Sequence, residues 1–328
     1  MIQPMKIHLP NSAHLQNIQG FLSRWSADDP TCLEFSMHDR WVSVHPAVLA
    51  MTACAAATIR HAGGKVDGKA EAHPALRYLI RMGLFEYLGI DPKATIQTHE
   101  PAGRFIPLTQ IRTSAELSAA ITNLVPLLHA ERREQDSIRY VFSELARNVI
   151  EHAGSPIGAF LCAQYYKPTN RVSIGIADAG IGIRRSITRS HPAHTARDAI
   201  ALALQPGITG TTARMGGTER NAGAGLFFVK SIAQLSRNFF TIYSEDTMFK
   251  LLRGSRTKPV LLHADPRHDR HRFVDGLPYS NGTVVGIDIS MAAGQQFTSF
   301  LAAIRGAYAG DTTNRRRKEY YRRIKFRK

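Results

Sequence analysis

Apolar and polar residues change their spacing along the chain, and the changes mark out elements. Residues 31 to 41 begin Thr-Cys-Leu-Glu-Phe-Ser-Met, an alternation that predicts a strand. Pro46 to Ala62 is alanine-rich and apolar and stops at Gly63-Gly64, which predicts a helix and makes the block a strand-helix unit. His73 to Gly89 reads as a short amphipathic helix with glycine interruptions. Residues 93 to 112, with Pro101 and Pro107, read as a linker or an extended arm. Two amphipathic helices are predicted next, Ala115 to Ala130 and Ser137 to Ala153, the second ending at Gly154-Ser-Pro. Arg171-Val-Ser-Ile-Gly-Ile-Ala-Asp alternates as a strand that delivers Asp178 at its end. The glycine- and threonine-bearing stretch from 184 to 222 is expected to form a mobile lid. Leu226 to Leu235 is predicted helical, Phe239 to Ser244 a strand, 245 to 280 a polar excursion, and Thr283 to Ile289 the last strand.

Three short motifs ride on these elements. Glu144, Asn148 and Glu151 are spaced by four and then three, so on a helix they share one face and can aim two carboxylates and an amide at one cation or water. Asp178-Ala-Gly180-Ile-Gly182 closes the strand, and Asn221-Ala-Gly223-Ala-Gly225-Leu226 opens a helix. Both glycine pairs sit where a backbone approaches a ligand closely. Other nucleotide fingerprints fail: Lys230-Ser231 lacks the glycine a P-loop places before its lysine, and Gly180-Ile-Gly182 has no third glycine for a dinucleotide site.

In this order the motifs resemble those of the GHKL ATPases, the superfamily of gyrase, the ninety-kilodalton heat-shock chaperone, histidine kinases and MutL. The resemblance covers roughly residues 112 to 305. Glu144-x-x-x-Asn148-x-x-Glu151-His152 resembles the N box, Asp178-x-Gly180-x-Gly182 the first glycine box and Gly223-x-Gly225-Leu226 the second, while Gly282-Thr283 opens a late strand as the family's Gly-Thr does. Residues 5 to 92, with Tyr78-Leu-x-x-Met-Gly-Leu-Phe85, resemble the STAS-like domains of anti-sigma-factor antagonists. The implied fold class is α/β, an α+β two-layer sandwich in which helices cover one face of a mixed Bergerat-type sheet. The implied organisation is a STAS-like α/β domain at 1–95, a linker at 96–112, the ATP-binding domain at 113–308 and a basic tail at 309–328.

The resemblance also implies chemistry. ATP and magnesium are the expected cofactors, with Asn148 offering an oxygen to the ion, which prefers hard oxygen ligands. Glu144 stands where hydrolysing members place the carboxylate that polarises water, a role that contributes roughly 100- to 10,000-fold to rate; the plain alternative is a solvated helix glutamate. Asp178 is expected to accept from the adenine amino group and Thr283 to lie near the base. Gly180 and Gly182 turn the chain beneath the base, and Gly223 and Gly225 present amides to phosphate at a helix start. Asn221, Arg214 and Lys230 are candidate phosphate contacts. The expected function is an ATP-binding regulatory protein that hydrolyses slowly. Phosphotransfer to a serine or threonine of a partner and a nucleotide-gated module without turnover are the alternatives. No His-Glu-x-x-Arg-Thr-Pro arrangement supports histidine autophosphorylation.

Composition narrows the setting. The chain has 328 residues, 44% of them hydrophobic, without the ~20 consecutive apolar residues of a membrane span and without a signal-peptide pattern, so a cytoplasmic protein is expected. Cys32, Cys54 and Cys162 have no paired spacing and read as reduced thiols. Of the +16 net charge, half lies between Arg315 and Lys328, where nine Lys or Arg face Glu319 alone. Such a tail suits nucleic acid or an acidic protein, or is a solvated extension; a homodimer is a further candidate assembly. Ser43, before a proline-started helix, reads as an ordinary serine rather than a phosphorylation site. His263, Asp265, His268, Asp269 and His271 have spacings that suit zinc, but the basic character of the run favours a solvated hairpin.

Overall fold

The strand Arg171–Asp178 carries Val172, Ile174 and Ile176 on one face and Ser173, Gly175 and Ala177 on the other, and both faces are buried. A strand with one bulky and one small face accepts helices on both sides, the small side drawing its helix in close. The computed structural model describes residues 4–25, 31–70, 75–93, 105–124, 132–210, 225–255, 257 and 259–290. In it this strand is β8, near the middle of a seven-stranded sheet.

Chain order begins with β1 (Met5–Leu9), β2 (Ser12–Ala13), α1 (Gln19–Leu22), β3 (Cys32–Met37), β4 (Ser43–Val44), α2 (Pro46–His61) and β5 (Lys65–Gly68). Next come α3 (Leu76–Arg81), α4 (Leu84–Leu88), β6 (Phe105–Ile111), α5 (Ser114–Leu124) and α6 (Arg132–Asn148). After α6 a π-helical turn covers Val149–Ala153, followed by β7 (Ala159–Tyr166), β8, α7 (Gly182–Ile187) and α8 (Ala196–Ala203). The last elements are α9 (Gly225–Leu235), β9 (Phe240–Glu245), β10 (Thr247–Leu251), β11 (His271–Val274) and β12 (Ser280–Ser290). The large sheet runs β11-β10-β9-β12-β8-β7-β6, with every neighbouring pair antiparallel. Parallel pairing is confined to the N-terminal β1-β3-β5 sheet and the β2-β4 pair. The mixed α/β class therefore holds, with the parallel and antiparallel strands in separate sheets.

Helices cover both faces of the large sheet rather than one. Ile138, Val141, Phe142 and Leu145 of α6 pack with Phe227, Val229 and Ile232 of α9 on the bulky side of β7, β8, β9 and β12. On the other side lies α2, buried along Pro46–Cys54 and again at Ala56 and Ile59. Its alanines let it approach the backbone. Gly175 of β8 stands opposite Gly286 of β12 in register. A Cβ on Gly175 would lie 2.0 Å from the Ala47 nitrogen, and one on Gly286 would lie 2.6 Å from Leu15 Cδ2. A cross-strand pair of glycines thus forms the seat for the start of α2. The N-terminal block is the back layer of the large sheet, sharing one apolar cluster with Phe160, Cys162, Ala177, Tyr243, Met248 and Val284.

Other expectations need adjustment. Part of the linker at 96–112 is strand: Phe105–Ile111 pairs with β7, and Leu108 N–H donates to Met82 O at 2.9 Å, tying this edge to the N-terminal block. The helix from His73 breaks into α3 and α4 at Gly83, which has φ of +74°. The excursion 245–280 contains β10 and β11. Between 184 and 210 the expected lid carries the end of α7 and all of α8, joined by turns: α8 starts with a reciprocal cap between Thr195 and Asp198 and buries Ala199, Ile200 and Ala203. The rest of the lid (211–222), the end of the domain and the basic tail lie outside the described residues. All three cysteines are free. No helix among the described residues is long and apolar enough to cross a membrane.

Candidate functional site

A cavity of about 330 Å³ opens between α6, α7, α9 and the upper ends of β8 and β12. Its wall includes Glu144, Asn148, Glu151, Asp178, Gly182, Gly225, Leu226 and Thr283, residues that the three sequence motifs and the Gly-Thr strand singled out. Asn221 and Gly223 are outside the described residues. Gly180 does not line the cavity but shapes its floor, as described below.

Each motif reaches the cavity through local structure. The α6 helix keeps its i to i−4 pattern to Asn148 and then widens into the π-turn, which ends at Gly154 with φ of +57°. Such a widening is frequent at functional sites because it re-aims side chains; here it carries Glu151 and His152. The chain of the first glycine box passes directly beneath this turn. Ile181 N–H donates to Ala153 O at 2.8 Å, and a Cβ on Gly180 would lie 2.1 Å from that same oxygen. Gly182, with φ of +75°, then turns the chain into α7, whose Ile183 N–H donates to Ser244 Oγ at 3.1 Å. Ser244 Oγ donates in turn to Gly282 O at 2.7 Å, joining the floor to the start of the Gly-Thr pair.

Asp178 is the buried carboxyl of the site, 4% exposed at the end of β8 and opposite Thr283 in register. Burial pushes its carboxyl pKa up to about 7, although the N–H groups of Gly180 and Thr283 pull it down. Gly180 N–H donates to its Oδ1 at 2.8 Å. Glu144 is partly buried, and its pKa is raised, chiefly by desolvation, with Arg147 opposing the rise and Glu151 adding to it. The cation that Glu144 and Glu151 share is the Arg147 guanidinium, 3.8 Å from each. His152 lies 4.0 Å from Glu151, and its pKa is lowered, first by burial. The Asn148 Nδ2 atom is buried without a hydrogen-bond partner. A buried amide end left unpaired costs about 1–3 kcal/mol, a cost that a bound ligand removes.

Two sequence candidates do other work. Lys230, a candidate phosphate contact, is fully buried in α9 and turned away from the cavity: its Nζ donates to Asp269 and, at 3.0 Å, to His263 O. Asp269 also accepts from Gln234 Nε2 at 2.8 Å, so this cluster fixes the segment before β11 onto α9. The histidine-rich run is therefore structural at Asp269, and among the described residues no group of three or more His, Cys, Asp or Glu could hold a metal ion. Ser43 lies in β4 with its Oγ 3.0 Å from His14 Nε2.

Sequence reasoning missed Arg147 and the apolar wall of Ile183, Ile187, Ala203 and Ile208. The signal for Arg147 was available in its spacing, three after Glu144 and four before Glu151. The apolar wall had no local signal, and Ile187, Ala203 and Ile208 lie in the segment read as a lid.

No protein-family model matches the chain, and no curated protein matches it.

Proposed function

We propose that this chain binds Mg-ATP in the cavity between α6 and α9 and hydrolyses it slowly, as GHKL ATPases do, to control a protein or nucleic-acid partner. The observation that carries the reading is the convergence of Glu144, Asn148, Asp178, Gly225 and Thr283, from four separate segments, on one cavity. The residues fit the group. The unpaired Nδ2 of Asn148 belongs to a residue that lines the cavity, and turning the amide by 180° exchanges this nitrogen for the oxygen a magnesium ion takes. Gly225, the first residue of α9, leaves open a space that a Cβ would fill at 2.4 Å from Glu144 Oε2.

The roles follow from chemistry. Magnesium, when bound, neutralises the triphosphate. Asp178 accepts a hydrogen bond from the base's amino group, which restores the charged form that burial disfavours. Thr283 borders the base beside it. The N-terminus of α9 at Gly225 offers backbone N–H groups and the positive end of the helix dipole to phosphate. Glu144 accepts a proton from the attacking water, and its raised pKa moves it toward the range suited to a base at neutral pH. The N-terminal layer, the STAS-like unit of the sequence, and the basic tail carry the output.

The test is Mg-ATP binding by calorimetry together with phosphate release, for the wild type, Glu144→Ala and Asp178→Asn. Binding by wild type and Glu144→Ala with release only by wild type supports the reading. Absence of Mg-dependent binding, or full binding by Asp178→Asn, refutes it.

A further inference from the structure

Arg147 stands in the middle of the cavity's charged wall. It follows Glu144 by three residues and precedes Glu151 by four, so the three share one face of α6 and its π-turn. Its Nη1 is 3.8 Å from Glu144 Oε1, and its Nε is 3.8 Å from Glu151 Oε1. These separations exceed a hydrogen bond, so the attraction is Coulombic and leaves the carboxylate oxygens open to other partners. The other oxygen of Glu144, Oε2, lies against Gly225, at the first turn of α9.

Among the described residues, the surroundings leave this task to Arg147. Burial acts most strongly on the Glu144 carboxyl and favours the neutral acid; Arg147 opposes this, and Glu151 reinforces it. α9 packs on α6, but its one lysine, Lys230, is turned to Asp269. On α7, which touches the π-turn, Arg184 pairs with Glu245, Arg185 is exposed, and Arg189 beyond it acts on His152. From α5, Glu116 accepts from the N–H groups of Arg112 and Thr113. Among the described residues, Arg147 is thus the cation that faces Glu144.

We propose that Arg147 is the positioning residue of this site, bridging Glu144 and Glu151 so that the Glu144 carboxylate is held against the start of α9 in its proton-accepting form. The proposal rests on the reading of Glu144 as the base, and it adds the group that keeps that base charged and aimed. Arg147 acts through Glu144 and transfers no proton itself. Its half-exposed side chain, 51% accessible, also lets solvent screen the effect, so the shift it produces is moderate.

The experiment follows the Glu144 carboxyl carbon of the full-length chain by 13C NMR over pH, with Glu144→Gln to assign the signal. This needs no turnover, so it stands apart from the hydrolysis reading. In Arg147→Met the midpoint is expected to rise by about one pH unit, and Arg147→Lys returns most of that shift. Arg147→Gln, which keeps a polar, solvated side chain, serves if the Met variant does not fold. An unchanged midpoint in a folded charge-free variant overturns the proposal. Where ATP turnover is present, the acid limb of the kcat profile moves by the same amount while KM stays within about twofold. A loss of kcat with an unmoved pH profile would mark Arg147 as merely structural. A wild type that releases no phosphate refutes hydrolysis and leaves the NMR comparison decisive.

Discussion

Replacing Asp178 by Asn removes the one cavity carboxyl that is almost wholly buried, and the effect on stability has a definite sign. In the folded chain this group titrates near 7, against about 3.8 for the exposed group. Between those values the folded state holds a proton that the unfolded chain has released, so the contribution of Asp178 to stability is fully present below about pH 4 and is lost as pH rises through 7. One pKa unit corresponds to about 1.4 kcal/mol. The stability difference between wild type and Asp178→Asn should therefore change by roughly 2–3 kcal/mol from pH 5 to pH 7, in favour of Asn at the higher pH, and level off above pH 7. Asn cannot titrate but keeps an oxygen for the Gly180 N–H, so any loss of fit adds a constant offset without altering the slope. Urea unfolding of both proteins at pH 5, 6, 7 and 8 measures this, since the titrations of the histidines cancel in the difference. Parallel curves across that range would show that Asp178 is solvated or differently paired, and the argument from its burial would fall.

Nucleotide binding should sharpen the same titration: an amino-group donor favours ionised Asp178, so affinity for Mg-ATP should rise with pH between 6 and 8 in wild type, read by calorimetry, and a flat profile would place the base elsewhere. Gly175→Val should lower stability by about 3 kcal/mol, because its Cβ meets the Ala47 backbone at 2.0 Å; a thermal melt within a degree of wild type would mean that α2 does not seat there. Lys230→Met should cost roughly 3–5 kcal/mol by stranding the buried Asp269, while Lys230→Met with Asp269→Leu should recover much of that loss. Urea midpoints would decide it, and additive losses would contradict the pairing. A chain lacking residues 1–93 should aggregate, because Phe160, Tyr243, Met248 and Val284 lose their cover; a monodisperse, folded fragment by light scattering would refute the back-layer role.

The cavity was legible in the sequence because its parts are local: a four-then-three spacing on a helix, and glycines such as Gly182 and Gly225 at the ends of elements. Each motif folds from its own neighbours, so reading it needs no knowledge of the whole. The helix inside the segment expected to be a lid went unread, since the segment's glycines drew more weight than the Thr195–Asp198 cap that starts α8. β7 escaped notice because Ala159-Phe-Leu-Cys-Ala-Gln is apolar on both faces and lacks alternation. β10 and β11 are short and embedded in a polar segment. Least legible was the layering: Gly175 and Gly286 are distant in the chain and become a seat for α2 only once β8 and β12 are paired in register.

That pairing links the two halves of the molecule more directly than a linker does. Along β8, Ile176 and Asp178 face the cavity while Gly175 and Ala177 face the N-terminal layer; along β12, Thr283 and Val285 face the cavity while Val284 and Gly286 face the other way. The floor of the cavity and the seat of α2 are thus opposite sides of the same two strands. Interiors packed this tightly transmit displacement rather than absorb it. The buried contacts of Asp288 strengthen the junction: Ser173 donates to it, His45 at the start of α2 lies 3.4 Å away, and Arg171 lies 3.6 Å away. Burial alone would raise the Asp288 pKa, but these partners outweigh it and hold the carboxyl below its usual range. A ligand that moves Asp178 or Thr283 therefore acts on β8 and β12 directly, and through them on α2. If the N-terminal layer signals to a partner, its signal begins at these two strands, and the test is whether Gly286→Ala, at a backbone seat outside the cavity, alters Mg-ATP affinity.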